Sequence, residues 1–172
     1  MRVSSKQYLV VSLALAGVCL LGAVASAKSV AYPGGGHTSF MVDVPDHWTI
    51  TPGKEAGDYM DLESGNGVLM EMRTLDATHE ALQEAIADSE KFINENYEGV
   101  ELNPVQNSEM NGLKYSFVTG TGKDKEGNAV KLAMGWFKLK DGTLGEIWYA
   151  ADASDAEGIQ EAGKVFSTYR AP

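Results

Sequence analysis

The sequence predicts an α+β domain: an antiparallel sheet of about six to eight strands with a long helix and a C-terminal helix packed on it. Three observations point there. Short segments of alternating apolar residues recur along the 172 residues and are joined by tight glycine-containing turns, so neighbouring strands run antiparallel. One stretch near the middle switches to the helical period. A second helical stripe closes the chain behind a capping signal.

Phe40, Val42 and Val44 alternate with Met41 and Asp43 and read as a strand ended by Pro45. Trp48 to Thr51 forms a second short strand, stopped by Pro52-Gly53. Tyr59 to Leu62 and Val68 to Leu75 flank Ser64-Gly65-Asn66-Gly67, a hairpin signal. The spacing of Leu82, Ile86, Ser89 and Ile93 predicts a helix over roughly Ala77 to Tyr97, with Gly99 placed to stop it. Val105 to Met110 and Leu113 to Thr121 are joined by Asn111-Gly112, which pairs Met110 with Leu113 and Glu109 with Lys114. Ala129 to Lys140 and Thr143 to Ala150 are joined by Asp141-Gly142. A two-residue turn there sets Gly135 opposite Trp148 and Trp136 opposite Ile147. Both strands are apolar on two faces, as central strands covered on both sides are. Ser154-Asp155-Ala156-Glu157 reads as a capping box, and Ile159, Ala162, Phe166 and Tyr169 carry the helical stripe to the end. The expected order is β-β-β-β-α-β-β-β-β-α, with one helix on each face.

Ahead of this domain, Arg2 and Lys6 precede an uncharged stretch from Gln7 to Ala27 that closes on Ala25-Ser26-Ala27. This is the pattern of a cleaved signal peptide over residues 1–27, so the expected mature chain begins at Lys28, is exported, and is periplasmic and not membrane-embedded. Val18 directly before Cys19 argues against lipid attachment. Lys28 to Ser39, with Tyr32-Pro33-Gly34-Gly35-Gly36 at its centre, reads as a flexible tether, leaving residues 40–172 as a single domain.

Composition narrows the function. With 24 acids against 14 bases, the chain lacks the basic footprint that nucleic acid requires. Loss of Arg2 and Lys6 with the leader moves the formal charge from −10 to −12 and removes the one cysteine, leaving neither disulfides nor thiol chemistry. About 145 residues would remain, enough to bury roughly 68 % of the unfolded surface in one core.

Phe40-Met41-Val42-Asp43-Val44-Pro45-Asp46-His47-Trp48, an apolar strand ending in Pro-x-x-Trp, resembles the opening of PsbP-like domains. The order of elements after it resembles theirs as well, although His47 stands where such domains often carry glycine. That superfamily includes the extrinsic photosystem subunit, a Ran-binding nuclear import factor and small bacterial envelope proteins of DcrB type. The resemblance implies an α/β/α sandwich with a non-catalytic binding or accessory role, and it transfers no catalytic residue.

Individual residues add little chemistry. Trp48 is a candidate for presenting an indole at a ligand edge, set against the commoner role of such a residue as a core anchor. Asp46 and His47 beside Asp43 lack a metal-ligand spacing, so no metal and no cofactor is expected. His79-Glu80 has no nucleophile or oxyanion motif in company, and the glycine-rich spots precede no helix that could cradle phosphate. Lys123 and Lys125 spoil the calcium-loop pattern around Asp124. Glu80, Glu84 and Asp88 step by four and form one acidic ridge on the long helix. It is either a solvated face or a docking face for a basic partner or divalent cations. The expectation is a non-catalytic periplasmic binding or accessory domain whose partner is an envelope protein or a small ligand. The alternatives are a small-molecule carrier with an apolar pocket, or a hydrolase with a dispersed site.

Overall fold

The structure, a computed structural model, describes residues 26–172. The expected leader up to Ala25 lies outside the described residues. Ten strands and two helices follow in the order β1 (Ala27–Tyr32), β2 (Phe40–Pro45), β3 (Thr49–Thr51), β4 (Met60–Glu63), β5 (Val68–Leu75), α1 (His79–Asn96), β6 (Glu98–Leu102), β7 (Gln106–Met110), β8 (Leu113–Lys123), β9 (Ala129–Lys138), β10 (Leu144–Asp152) and α2 (Ala156–Ser167). Eight strands form one antiparallel sheet in the order β3-β4-β5-β10-β9-β8-β6, with β7 also paired to β8. The strands β1 and β2 make a separate two-stranded sheet.

The alternation of side chains along β5, β9 and β10 divides the apolar residues between two faces. One face contributes Met70, Met72, Phe137 and Ile147 to a core shared with β2 and with Ala162 and Val165 of α2. The other contributes Val118, Leu132, Met134 and Trp148 to a smaller core closed by Ile93 of α1. One helix therefore lies on each face, and the α/β/α sandwich expected from the sequence is the observed fold.

The helix α1 begins where Thr78 Oγ1 accepts from the Ala81 N–H at 3.1 Å. Its buried residues are Ala85, Ser89 and Ile93, at steps of four. Tyr97 turns extended and ends it, and Gly99, at φ +59°, lies inside β6 instead of stopping the helix. At the opposite end of the chain α2 is capped by Asp155, whose carboxylate accepts from the Gly158 N–H at 2.9 Å. Ser154 is not the cap: its hydroxyl and N–H bond to Asp152 instead.

The expected tether is corrected. Residues Lys28 to Tyr32 pair with β2, and Gly34 donates to Gly53 O at 3.0 Å. The physical reason is Tyr32, which is fully buried. Its hydroxyl donates to Asp58 O at 2.6 Å and accepts from the Gly57 N–H at 3.1 Å. Its ring stands at the end of an aromatic column running through Phe40, Tyr169, Phe137 and Tyr115, with successive centroids 4.7, 4.6, 4.3 and 4.7 Å apart. Asp43 fastens the same hairpin to the C-terminus, accepting from Ser29 and, at 2.9 Å, from Arg170.

One register also differs. Asn111-Gly112 makes the expected turn, with φ of 51° and 75°, and Glu109 does face Lys114. The β9–β10 connection is one residue longer than a two-residue turn. Gly142 takes φ +91°, and Leu139 donates to Thr143 O at 3.0 Å. A bulge of this kind adds one residue to the loop and slides the pairing by one. Trp148 therefore faces Met134, and Trp136 faces Glu146.

Candidate functional site

That register builds a polar row across the α1 face of the sheet. Asn107, Ser116, Trp136, Glu146 and Arg73 are successive cross-strand partners on β7, β8, β9, β10 and β5. Each is joined to the next or held by a neighbour. The Ser116 hydroxyl donates to Asn107 Oδ1 at 2.6 Å. The Trp136 indole donates to Glu146 Oε1 at 3.2 Å, and Arg73 Nε donates to Glu146 Oε2 at 2.6 Å. Tyr59 lies against the guanidinium, 4.4 Å from ring centroid to Cζ, a cation–π contact.

Glu146 is 2 % exposed, and two donors, Arg73 and Trp136, meet its buried carboxylate. Burial opposes the Arg73 charge, yet Glu146 overrides that and holds the guanidinium above its ordinary value. Burial and the same carboxylate push the Tyr59 hydroxyl up to about 12. The next row crosses Val118, Met134, Trp148, Glu71 and Asp61. Burial, and then Asp61 directly opposite, raise Glu71 above the ordinary carboxylate range.

Beside these rows, α1 and the β7–β8 hairpin enclose a groove of about 790 Å³. Its floor is Trp136 with Ser116, and its walls include Leu82 and Ile86 of α1 and Val105 ahead of β7. Ile86 and Val105 are 36 % and 62 % exposed, so two large apolar side chains of the lining face solvent. Glu109, Lys114 and Lys138 supply its charges. A volume of this order is in the usual range for ligand pockets, roughly 300–1,000 Å³. The buried ion pair fixes the indole that floors it, which pre-organises the surface.

On the other face, a pocket of about 270 Å³ lies between the sheet and α2, lined by Met70, Phe117, Ile147, Ile159, Gly163 and Phe166 among others. Its lining is almost wholly apolar.

The residues singled out from the sequence fall elsewhere. Trp48 is 2 % exposed, and its indole donates to Glu161 Oε2 at 2.9 Å, so it anchors the core and presents no ligand edge. His47 Nε2 lies 3.1 Å from the same Glu161 oxygen, tying the β2–β3 corner to α2. Glu80, Glu84 and Asp88 are all exposed on α1, turned away from the Ala85, Ser89 and Ile93 side. His79 and Glu80 are exposed neighbours in its first turn, where adjacent side chains diverge by about 100°. Among the described residues no group of three or more His, Cys, Asp or Glu is placed to hold a metal ion. Nor is any described helix long and apolar enough to cross a membrane.

Sequence reasoning missed Trp136, Glu146 and Arg73 as a unit. The signal was present: opposite charges on two strands otherwise rich in apolar residues. A register displaced by one hid their alignment.

No family model matches the sequence, and no curated protein matches it. Solved structures do match in shape. The Ran-binding protein Mog1p of Saccharomyces cerevisiae superposes with a TM-score of 0.53 at 13 % identity, over 84 % of this chain and 94 % of that one. The cyanobacterial PsbP (CyanoP) of Synechocystis sp. PCC 6803 superposes with a TM-score of 0.54 at 12 % identity, over 91 % of this chain and 99 % of that one. At such identities the likeness speaks for architecture alone, and the architecture it shows is the PsbP-like fold.

Proposed function

We propose that this chain is a non-catalytic binding or accessory domain of the bacterial envelope, akin to the small DcrB-type proteins, and that it binds through the groove beside α1. The observation that carries the reading is the exposed pair Ile86 and Val105 set around an indole that a buried ion pair holds in place. A surface built and braced in this way suits recognition. One structural neighbour, Mog1p, is a Ran-binding protein, which supports a protein partner for such a fold.

Native mass spectrometry tests this on protein recovered from its host. The wild type should carry a bound partner or ligand that an Ile86→Asp, Val105→Asp variant lacks. Identical spectra from two folded proteins would refute the assignment of the groove.

Export is part of the proposal. Cleavage after Ala27 removes that residue's end of β1 and leaves Lys28 to Tyr32 paired with β2. Sequencing of the mature N-terminus should begin at Lys28, and an intact Met1 would overturn periplasmic placement. The ridge of Glu80, Glu84 and Asp88 provides a docking face for a basic partner of the same domain. A Glu80→Lys, Glu84→Lys variant should then fold normally and lose a salt-sensitive partner, because exposed charges are screened within about 8 Å at physiological ionic strength. A salt-insensitive partner set shared by both proteins would reduce the ridge to solvated surface.

The apolar pocket under α2 favours a second reading, a carrier of a small uncharged ligand. An Ala133→Leu change, which fills that pocket, should abolish uptake of such a ligand if the carrier reading holds.

A further inference from the structure

We infer that the groove beside α1 takes a small carboxylate with an apolar body, of the kind a medium-chain fatty acid offers. The inference rests on the groove being the binding surface and adds the chemistry of what fills it. Leu82, Ile86, Val105 and the face of Trp136 form an apolar trough, and transfer of a hydrocarbon chain onto it removes both from water.

The charges define the other end of the ligand. Three charged side chains line the groove: Glu109, Lys114 and Lys138. Glu109 stands directly across the β7–β8 ladder from Lys114 and offsets its charge. Lys138 faces Leu144 on β10, an apolar partner, and forms no ion pair within 4.0 Å among the described residues. The same holds for Lys114.

The groove thus carries a surplus of one positive charge in a chain whose formal charge is −10. The Ser116 hydroxyl is already donated to Asn107, so the charged donors open to a ligand are the two lysine ammonium groups, with the Asn107 amide and the Ser108 hydroxyl as neutral donors beside them. A surplus of one matches a monoanion better than a dianionic phosphate monoester, and ammonium to carboxylate is a charge-assisted hydrogen bond. Glu80, Glu84 and Asp88 of α1 are exposed and do not line the groove.

Calorimetry with octanoate, 1-octanol and octyl phosphate tests the assignment on the folded chain. Octanoate should bind at one saturable site and more tightly than either relative. Lys138→Gln should weaken octanoate at least about tenfold, the loss expected for one charge-assisted hydrogen bond, and leave 1-octanol within about twofold. Glu109→Gln should tighten octanoate. Val105→Asp, at a position already exposed, should weaken octanoate and octanol together with no change in thermal unfolding. If octanoate and octanol bind alike, or Lys138→Gln leaves octanoate unchanged, the carboxylate class is wrong while the groove stands. If neither ligand responds to Val105→Asp, or neither binds, the groove itself is overturned as the binding surface.

Discussion

Replacing Arg73 with methionine keeps the length of the side chain and removes the charge that Glu146 was buried against. The geometry fixes the size of the effect. Arg73 Nε sits 2.6 Å from Glu146 Oε2, and the two side chains are 17 % and 3 % exposed. Removing one partner of a buried pair costs about 3–5 kcal/mol, because the other charge stays out of water with nothing to meet it. Against a total stability of about 5–15 kcal/mol, that is a large fraction. In a domain of this size it lowers the melting temperature by roughly 6–20 °C. Urea unfolding of the single and double variants measures it. Adding Glu146→Gln removes the stranded charge while leaving Trp136 an acceptor, and should restore at least half of the loss.

A loss under about 1 kcal/mol, or a double variant no more stable than the single one, would refute the view that Arg73 compensates a buried charge.

Other perturbations separate neighbouring effects. Glu71→Gln should stabilise the protein by about 0.2–1 kcal/mol at pH 7, since Glu71 and Asp61 are like charges directly opposed. Burial and Asp61 raise the folded Glu71 value, so the gain should fade as pH drops through it; urea midpoints across pH check both parts. Asp43→Asn should behave in the opposite sense. Hydrogen bonds from Ser29 and Arg170 lower the folded Asp43 value, so the stabilisation is present at neutral pH and lost as pH falls through that value. With both side chains about a third exposed, its loss should cost at most about 1 kcal/mol in the same assay. Gly145→Ala places a Cβ 2.0 Å from the Tyr169 hydroxyl and should disrupt the aromatic column, lowering the unfolding free energy by about 1–3 kcal/mol or more in the same assay. Tyr169→Phe removes that buried hydroxyl, which has no hydrogen-bond partner among the described residues, and should be neutral or stabilising by thermal unfolding.

Much of the architecture was legible because it rests on local signals. The Asn111-Gly112 turn dictates its own register, and the helical period of α1 is visible in Leu82, Ser89 and Ile93. β1 was not legible because its burial depends on one residue, Tyr32, meeting a ring stack assembled from both ends of the chain. β6 was missed for the reverse reason: Glu98, Gly99, Glu101 and Leu102 are exposed, and such an edge strand carries no alternation to read. The groove stayed hidden behind a single residue of slippage. Gly142 could have been read as a bulge, and Trp136 would then have fallen opposite Glu146. The bracing by Arg73 is a contact between β5 and β10, neighbours in the sheet but 73 residues apart in sequence, which no local pattern encodes.

The most direct test of the binding groove uses the three tryptophan indoles as reporters in a proton–nitrogen correlation spectrum. Trp136 floors the groove, whereas Trp48 is buried against Glu161 and Trp148 lies between Phe92 and Tyr97 beneath α1. On titration with octanoate the Trp136 indole signal should move progressively to saturation, with the amides of Ile86 and Val105, while the Trp48 signal stays fixed. A stationary Trp136 signal, with shifts confined to Gly163 and Phe166 in the pocket under α2, would contradict the account.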